Sequence, residues 1–346
     1  MKRFGLFFLL ALAFACNNEL DINAPYKDIT VVYGALDAAE DTNWVRIHKT
    51  FLGTEGINGG KDNPDSLYYS NLQVFIEEKD GENITNVWPL SRDDVSHQLD
   101  SGFFTSEGFH LYRLDQLLDQ NRTYRLVIDK PDNDGPQVTA TTPLVHSFNI
   151  SKPVGSQKIT FGRTGQDFVW SESENARIYQ SYLRFYYVEI NNDNAGDSVR
   201  RHVDYLLPTK LGSSLTGNNN ITINVAYETF YRYLLNSIGV NPDVIRFFRG
   251  MDIYVTAGAD DLTTYINVSQ PAEGIVQEKP FYSNVNNGAG IFSSRTSTDK
   301  LGMRLSPLSL DSLIKGIYTC DLRFAKASAG DTCVCDRATA SGFRCE

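Results

Sequence analysis

Five cysteines carry the most versatile chemistry in this 346-residue chain, and they fall into two groups: Cys16 alone near the start, and Cys320, Cys333, Cys335 and Cys345 within the last 27 residues. A thiol can accept an acyl chain, ligate zinc or form a disulfide. Structural zinc sites space their ligands as C-x2-C or wider, and Cys333-Val334-Cys335 is tighter than that. The two are also too close to bridge each other comfortably, so each is expected to pair outward, one with Cys320 and one with Cys345. Which takes which stays open. Two disulfides would staple a tail rich in small residues that cannot build a core of its own.

Cys16 needs a different account. Lys2 and Arg3 precede an apolar run, Gly5 to Ala15, too short to cross a bilayer, which has the form of a cleaved secretory signal. Ala13-Phe14-Ala15 would suit ordinary signal peptidase. The run reaches Cys16 without a polar spacer, however, and resembles a bacterial lipobox of the form Leu-x-x-Ala-Cys. If Cys16 carries lipid, an even set of four cysteines remains for an oxidising compartment. More than one acyl chain anchors stably, at about 0.8 kcal/mol per buried methylene. The acidic Glu19-Leu20-Asp21 is similar to the export signals that follow the lipidated cysteine in surface lipoproteins of Bacteroidota. The expected location is the outer membrane, lipid-anchored and exposed at the cell surface, with its periplasmic side as the alternative.

Other chemistry is sparse. The five histidines, His48, His97, His110, His146 and His202, include no pair at metal-ligand spacing. The chain has no H-E-x-x-H, no nucleophile elbow and no phosphate-cradling glycine loop, since Gly288 and Gly290 give only G-x-G. Asp132 to Gly135 has part of a calcium-loop pattern without the closing Glu, and a β-turn explains it better. Asp260-Asp261 suits a helix start better than a carboxylate dyad, because adjacent helical residues diverge. No enzyme activity, cofactor or metal site is therefore expected. Asp-Ser-aliphatic triplets make Ser66, Ser198 and Ser312 candidate O-glycosylation sites of the type used on exported Bacteroidota proteins. Tyr68, Tyr69 and Trp88 are candidate aromatic platforms for a sugar or peptide, with core packing as their alternative use.

Removing the signal takes Lys2 and Arg3 with it and shifts the formal charge from −10 to −12, which disfavours nucleic acid as a partner. The remaining length suggests two domains. Abundant aromatics, 18 Tyr and 20 Phe, suit half-buried strands. Residues 1–15 are assigned to the signal peptide and 16–27 to a lipidated tether. Residues 28–150 carry short alternating strands punctuated by turns, pointing to an immunoglobulin- or fibronectin-like β-sandwich. The clearest hairpin joins Tyr124, Leu126 and Ile128 to Val138 and Ala140 across a turn of Pro, Asp, Asn and Gly, and a short helix is expected at Leu114 to Leu118. Residues 151–319 form a β-rich α+β domain, and 320–346 the cysteine-rich tail. In the second domain Trp170 precedes a long strand with Tyr182, Arg184, Tyr186 and Val188 on one face and Leu183, Phe185 and Tyr187 on the other. Residues 211–220 look like a mobile loop. Tyr227, Phe230, Leu234 and Ile238 keep helical spacing up to Gly239. Asn241-Pro242 predicts a second helix ending at Gly250, and Asp260 a third through Ile266.

Several stretches together resemble the Bacteroidota lipoproteins grouped as domain of unknown function 4249: "ITVVYGAL" followed by "VRIHKTF", "RTYRLVI" followed by "VTATTP", and above all "EKPFYSNVNNGAGIFSS". The last is similar to that family's Pro-x-x-x-Tyr-Ser-Asn-Ile-x-x-Gly-x-Gly-Ile-Phe-Gly motif through Tyr282, Ser283, Asn284, Gly288, Gly290 and Phe292, with Ser293 in place of the usual Gly. Physically the motif reads as structural, with a positive-φ turn at Asn286-Asn287-Gly288 and close backbone approach at Gly290. The resemblance implies a non-enzymatic accessory lipoprotein beside an outer-membrane β-barrel of the TonB-dependent transporter type, its small-molecule, glycan or peptide ligand unknown. The alternative is a structural or adhesive cell-surface protein.

Overall fold

The computed structural model describes residues 29–50, 67–95, 109–132, 135–155, 158–192, 198–269, 281–328, 331–335 and 343–345. The fold is mainly β, an N-terminal sandwich followed by an α+β region that holds a second one. Cys16, Ser66 and His97 lie outside the described residues.

Alternating apolar residues build the first sandwich. Strands β1 (Thr30–Leu36), β2 (Asn43–Lys49), β5 (Ser91–Val95) and β6 (Phe109–Leu114) form one sheet, in the order β1-β2-β6-β5. Strands β3 (Gln73–Asp80), β4 (Asn83–Pro89), β7 (Thr123–Asp129) and β8 (Val138–Pro143) form the other, in the order β4-β3-β7-β8. Val32, Val45 and Ile47 from the first sheet meet Ile76, Leu126 and Ile128 from the second in one buried core. Leu114 and Leu118 both join that core, but the chain between them is irregular and the expected helix is absent. Their spacing reported burial alone: the next turn is fixed by Tyr124, whose hydroxyl accepts from the Asp119 amide at 2.8 Å and donates to Glu78 Oε2 at 3.1 Å.

The second sandwich pairs β9 (Ile150–Lys152), β10 (Gln166–Ser171) and β14 (Asn220–Val225) against a sheet of much longer strands. These are β11 (Ala176–Asn191), β12 (Ser198–Leu206), β15 (Val244–Ala259) and β16 (Gly288–Met303), with the two-residue β13 (Lys210–Leu211) also on β11. Trp170, Tyr179, Leu183, Phe185 and Ile253 fill the space between. Helix α1 (Tyr227–Ile238) closes the core, with Phe230 stacked on Phe161 at 4.3 Å, and Gly239 ends it at φ 75°. Helix α2 (Asp260–Ser269) follows β15 directly, and α3 (Pro307–Lys315) starts on a Ser306 cap accepting from the Ser309 amide. The helix expected over Asn241–Gly250 is instead the start of β15. Asn241 accepts from the Asp243 amide at 2.9 Å as an Asx-turn, and β-branched Val244 and Ile245 then enter a ladder pairing β15 with β11 along its length. Long-range pairing overrides the local cap signal. Of the loop expected over residues 211–220, Leu211 and Asn220 belong to strands, Thr216 bridges to Glu174, and the segment is fastened at Glu172, which accepts from Ser213 N and Oγ.

Strand β16 joins the two sandwiches. Its first half pairs parallel with β1, from Thr30 opposite Gly288 to Leu36 opposite Ser294, and its second half pairs antiparallel with β15. One continuous sheet thus runs β12-β11-β15-β16-β1-β2-β6-β5. Glycine is required where β16 meets β1: a Cβ on Gly290, at φ 102°, would stand 2.0 Å from the Val32 carbonyl oxygen.

In the tail, a 3-10 turn (Cys320–Leu322) leads to β17 (Ala325–Ser328), β18 (Asp331–Cys335) and β19 (Phe343–Cys345). Cys320 and Cys335 are disulfide-bonded, and Cys333 stands directly opposite Cys345 in the β18–β19 register.

Candidate functional site

A recess of about 810 Å³ opens on the outer face of the second sandwich near the C-terminal end of β16. Its floor follows from strand alternation. Tyr186, Val188 and Ile190 share one face of β11, and their cross-strand partners on β12 are His202, Arg200 and Ser198. Arg249, Asp252 and Leu301 close the other side, Leu301 being 61% exposed. Asp252 is fixed in place, accepting from the Gly302 amide at 2.7 Å and the Tyr254 hydroxyl at 3.2 Å. Among the described residues neither Arg200 nor Arg249 forms an ion pair.

A second recess of about 590 Å³ lies across the same β11–β12 ladder, on the face of Tyr187, Glu189 and Val203, bounded by Ser237 to Asn241 at the C-terminal end of α1. Arg246, 1% exposed, donates from Nε to Glu189 Oε1 at 3.0 Å and from Nη1 to the Leu322 carbonyl at 2.7 Å. Arg201 also binds Glu189, so two guanidiniums share one carboxylate. Both recesses therefore lean positive on an acidic chain.

Leading into the larger recess is an ordered stripe. Arg184 binds Asp204 through Nε and Nη2, both at 2.7 Å, while its guanidinium lies 5.4 Å from the Tyr182 ring and 5.6 Å from the Tyr254 ring. Those rings stack at 4.9 Å. The Arg184 hydrogen bonds hold the Asp204 carboxyl below its ordinary value against the opposing effect of burial.

One cluster resembles part of a catalytic triad and is something else. His110 Nδ1 lies 2.6 Å from Asp94, but His110 Nε2 lies 2.6 Å from Arg92 Nη2. The guanidinium can only donate, so it occupies the nitrogen that a general base would need. Among the described residues no group of three or more His, Cys, Asp or Glu could hold a metal ion.

The residues singled out from sequence are scattered. Tyr68 is 5% exposed, with His110 edge-on at 4.7 Å, which leaves no open ring face. Tyr69 shares a hydrogen bond with Thr30 and sits under Lys49, and Trp88 packs on the first core. Ser198 is exposed on β12 and lines the larger recess. Ser312 lies mid-helix on α3, its hydroxyl donating to the Leu308 carbonyl at 2.9 Å.

The motif residues act on the chain itself. Asn284 brackets Phe292, accepting from its amide at 3.0 Å and donating to its carbonyl at 2.7 Å. Tyr282 and Asn284 both donate to Asp261 on α2, and the desolvated Tyr282 hydroxyl, facing that carboxylate, is pushed up to about 12. Ser283 accepts from the Val285 amide, and Phe292 is buried in the first core. Positive φ falls on Asn287 and Gly290, while Gly288 stays extended with no room for a Cβ beside the Thr30 carbonyl.

Sequence reasoning passed over Arg200, Arg249, Asp252 and Leu301. The available signal was Arg200-Arg201-His202, a basic run on a strand directly after the long alternating one. No protein-family model matches this chain, and no curated protein does either.

Proposed function

We propose that this chain is a lipid-anchored outer-membrane lipoprotein that serves as a non-enzymatic binding or accessory subunit of an outer-membrane β-barrel complex of the TonB-dependent transporter type. The observation that carries this reading is where the open recess lies relative to the start of the described chain. β1 begins beside Gly288, whereas the recess is lined by Gly302 at the other end of β16. At ~3.3 Å per residue the two are about 45 Å apart along the strand. A lipid on Cys16 would hold the β1 end toward the bilayer and present the recess to a partner. The lipobox-like border at Cys16 and the resemblance to the domain of unknown function 4249 lipoproteins support the same reading.

Purification through a C-terminal tag in mild detergent tests it. A β-barrel protein should co-purify with the wild-type chain, and Cys16→Ser should move the chain to the soluble fraction. Recovery of the lipoprotein alone, or a wild-type chain that is soluble without detergent, contradicts it.

A further inference from the structure

We infer that β12 is a docking edge for an extended, acidic segment of a partner protein, which adds to the sheet as a further strand. This rests on the binding reading above and specifies its ligand. Among the described residues β12 pairs only with β11. The Leu207 amide donates to the Ser181 carbonyl at 2.9 Å, which fixes the phase of the ladder. Residues in step with Leu207, namely Val199, Arg201, Val203 and Tyr205, turn their amides and carbonyls toward β11. Ser198, Arg200, His202 and Asp204 turn theirs outward. The Asp204 carbonyl agrees with that phase, since it accepts from the Tyr233 hydroxyl of α1 at 2.6 Å. Among the described residues this leaves the outward groups of Ser198, Arg200 and His202 open to another strand.

The two recesses flank this edge on opposite faces. An added strand sends alternate side chains to opposite faces, so backbone pairing would hold it while successive side chains enter one recess and then the other. The charges select its composition. Arg200 and Arg249 line the larger recess, and the Arg201–Glu189–Arg246 group leaves one surplus cation at the other, whereas Asp252, the carboxylate lining the larger recess, is already held by two donors. Val188, Ile190 and Leu301 supply apolar contact beside the cations. An acidic segment with interspersed aliphatic residues matches this pattern, and a basic one does not.

The test is fluorescence anisotropy of the purified full chain in detergent with a blocked octapeptide of Glu-Glu-Val-Val repeated twice, which presents carboxylates to both faces. Saturable binding is expected, weakened at least about tenfold by Arg200→Glu with Arg249→Glu and by added salt. Alternate N-methylation of the peptide backbone, which keeps every charge, should weaken it similarly. The inference is overturned if the N-methylated peptide or a Lys-Val peptide binds as well as the parent. It is equally overturned if a folded protein shows no saturable binding, or if sedimentation shows a second copy of the chain covering β12. A barrel recovered in detergent by a chain that ignores the peptide sinks this inference alone; peptide binding without a barrel sinks the accessory reading alone.

Discussion

The continuous sheet ends in two strands, β5 on the first sandwich and β12 on the second, and the two are finished differently. On β5 the charges answer one another: Arg92 and His110 meet Asp94, at 3.2 and 2.6 Å, and Arg113 lies between Asp93 and Asp115. Such an edge offers an incoming strand few unsatisfied charges. On β12 Arg200 has no ion-pair partner among the described residues, and a recess lies on either face. Charge alone does not define a docking edge. What distinguishes β12 is uncompensated charge of one sign beside open outward backbone.

The comparison depends on β16 holding both edges in one sheet, and breaking that joint should have the largest effect. Gly290→Val places a branched side chain at positive φ against the Val32 carbonyl. A loss of more than about 3 kcal/mol, or failure to fold, is expected from denaturant unfolding. A near-wild-type midpoint would mean that the β1–β16 pairing is not needed.

Next in size is the tail. Removing the Cys320–Cys335 bridge by Cys335→Ser should cost about 3 kcal/mol for its separation of 15 residues. The register also predicts that Cys333 bonds to Cys345, because directly opposed antiparallel residues fall within disulfide reach. Peptide mapping without reduction should recover both pairs, and a Cys333–Cys320 peptide would refute the register argument.

A smaller effect is expected at Glu78 beneath β4. Burial alone would raise its carboxyl, but hydrogen bonds from Thr85, Asn86 and Tyr124 outweigh that and hold it below its ordinary value of 4.5. The folded state thus takes up this proton less readily than the unfolded one. The resulting stability is complete above the unfolded value and lost as pH falls through the lower folded value. Tyr124→Phe should cost about 1 kcal/mol at neutral pH and flatten the acid limb of the stability curve. An unchanged acid limb would show that Glu78 is not its source. The smallest effect belongs to Arg200→Glu, expected within about 0.5 kcal/mol of wild-type stability because the side chain is exposed. A larger loss would make Arg200 part of the scaffold.

Much of the architecture was legible because burial imposes a period. Leu183, Phe185 and Tyr187 on β11, the β7–β8 hairpin and the Tyr227-to-Ile238 helix all follow from alternation or helical spacing. Two features were not. The Asn241-Pro242 turn ahead of β15 mimics a helix cap, and only the pairing of the following residues with β11 decides otherwise. The parallel contact between β1 and β16 joins residues from opposite ends of the chain, and no local pattern encodes it. The candidate site was hidden for a related reason, since Arg200, Arg249 and Leu301 sit on three different strands and meet only in the folded sheet.

Hydrogen exchange read by mass spectrometry, with and without the acidic octapeptide, tests the contrast between the two edges most directly. Peptide binding should slow exchange over residues 198–203 and leave residues 91–95 unchanged. Unaltered exchange over 198–203 in the saturated complex, or equal protection of both edges, would contradict the account.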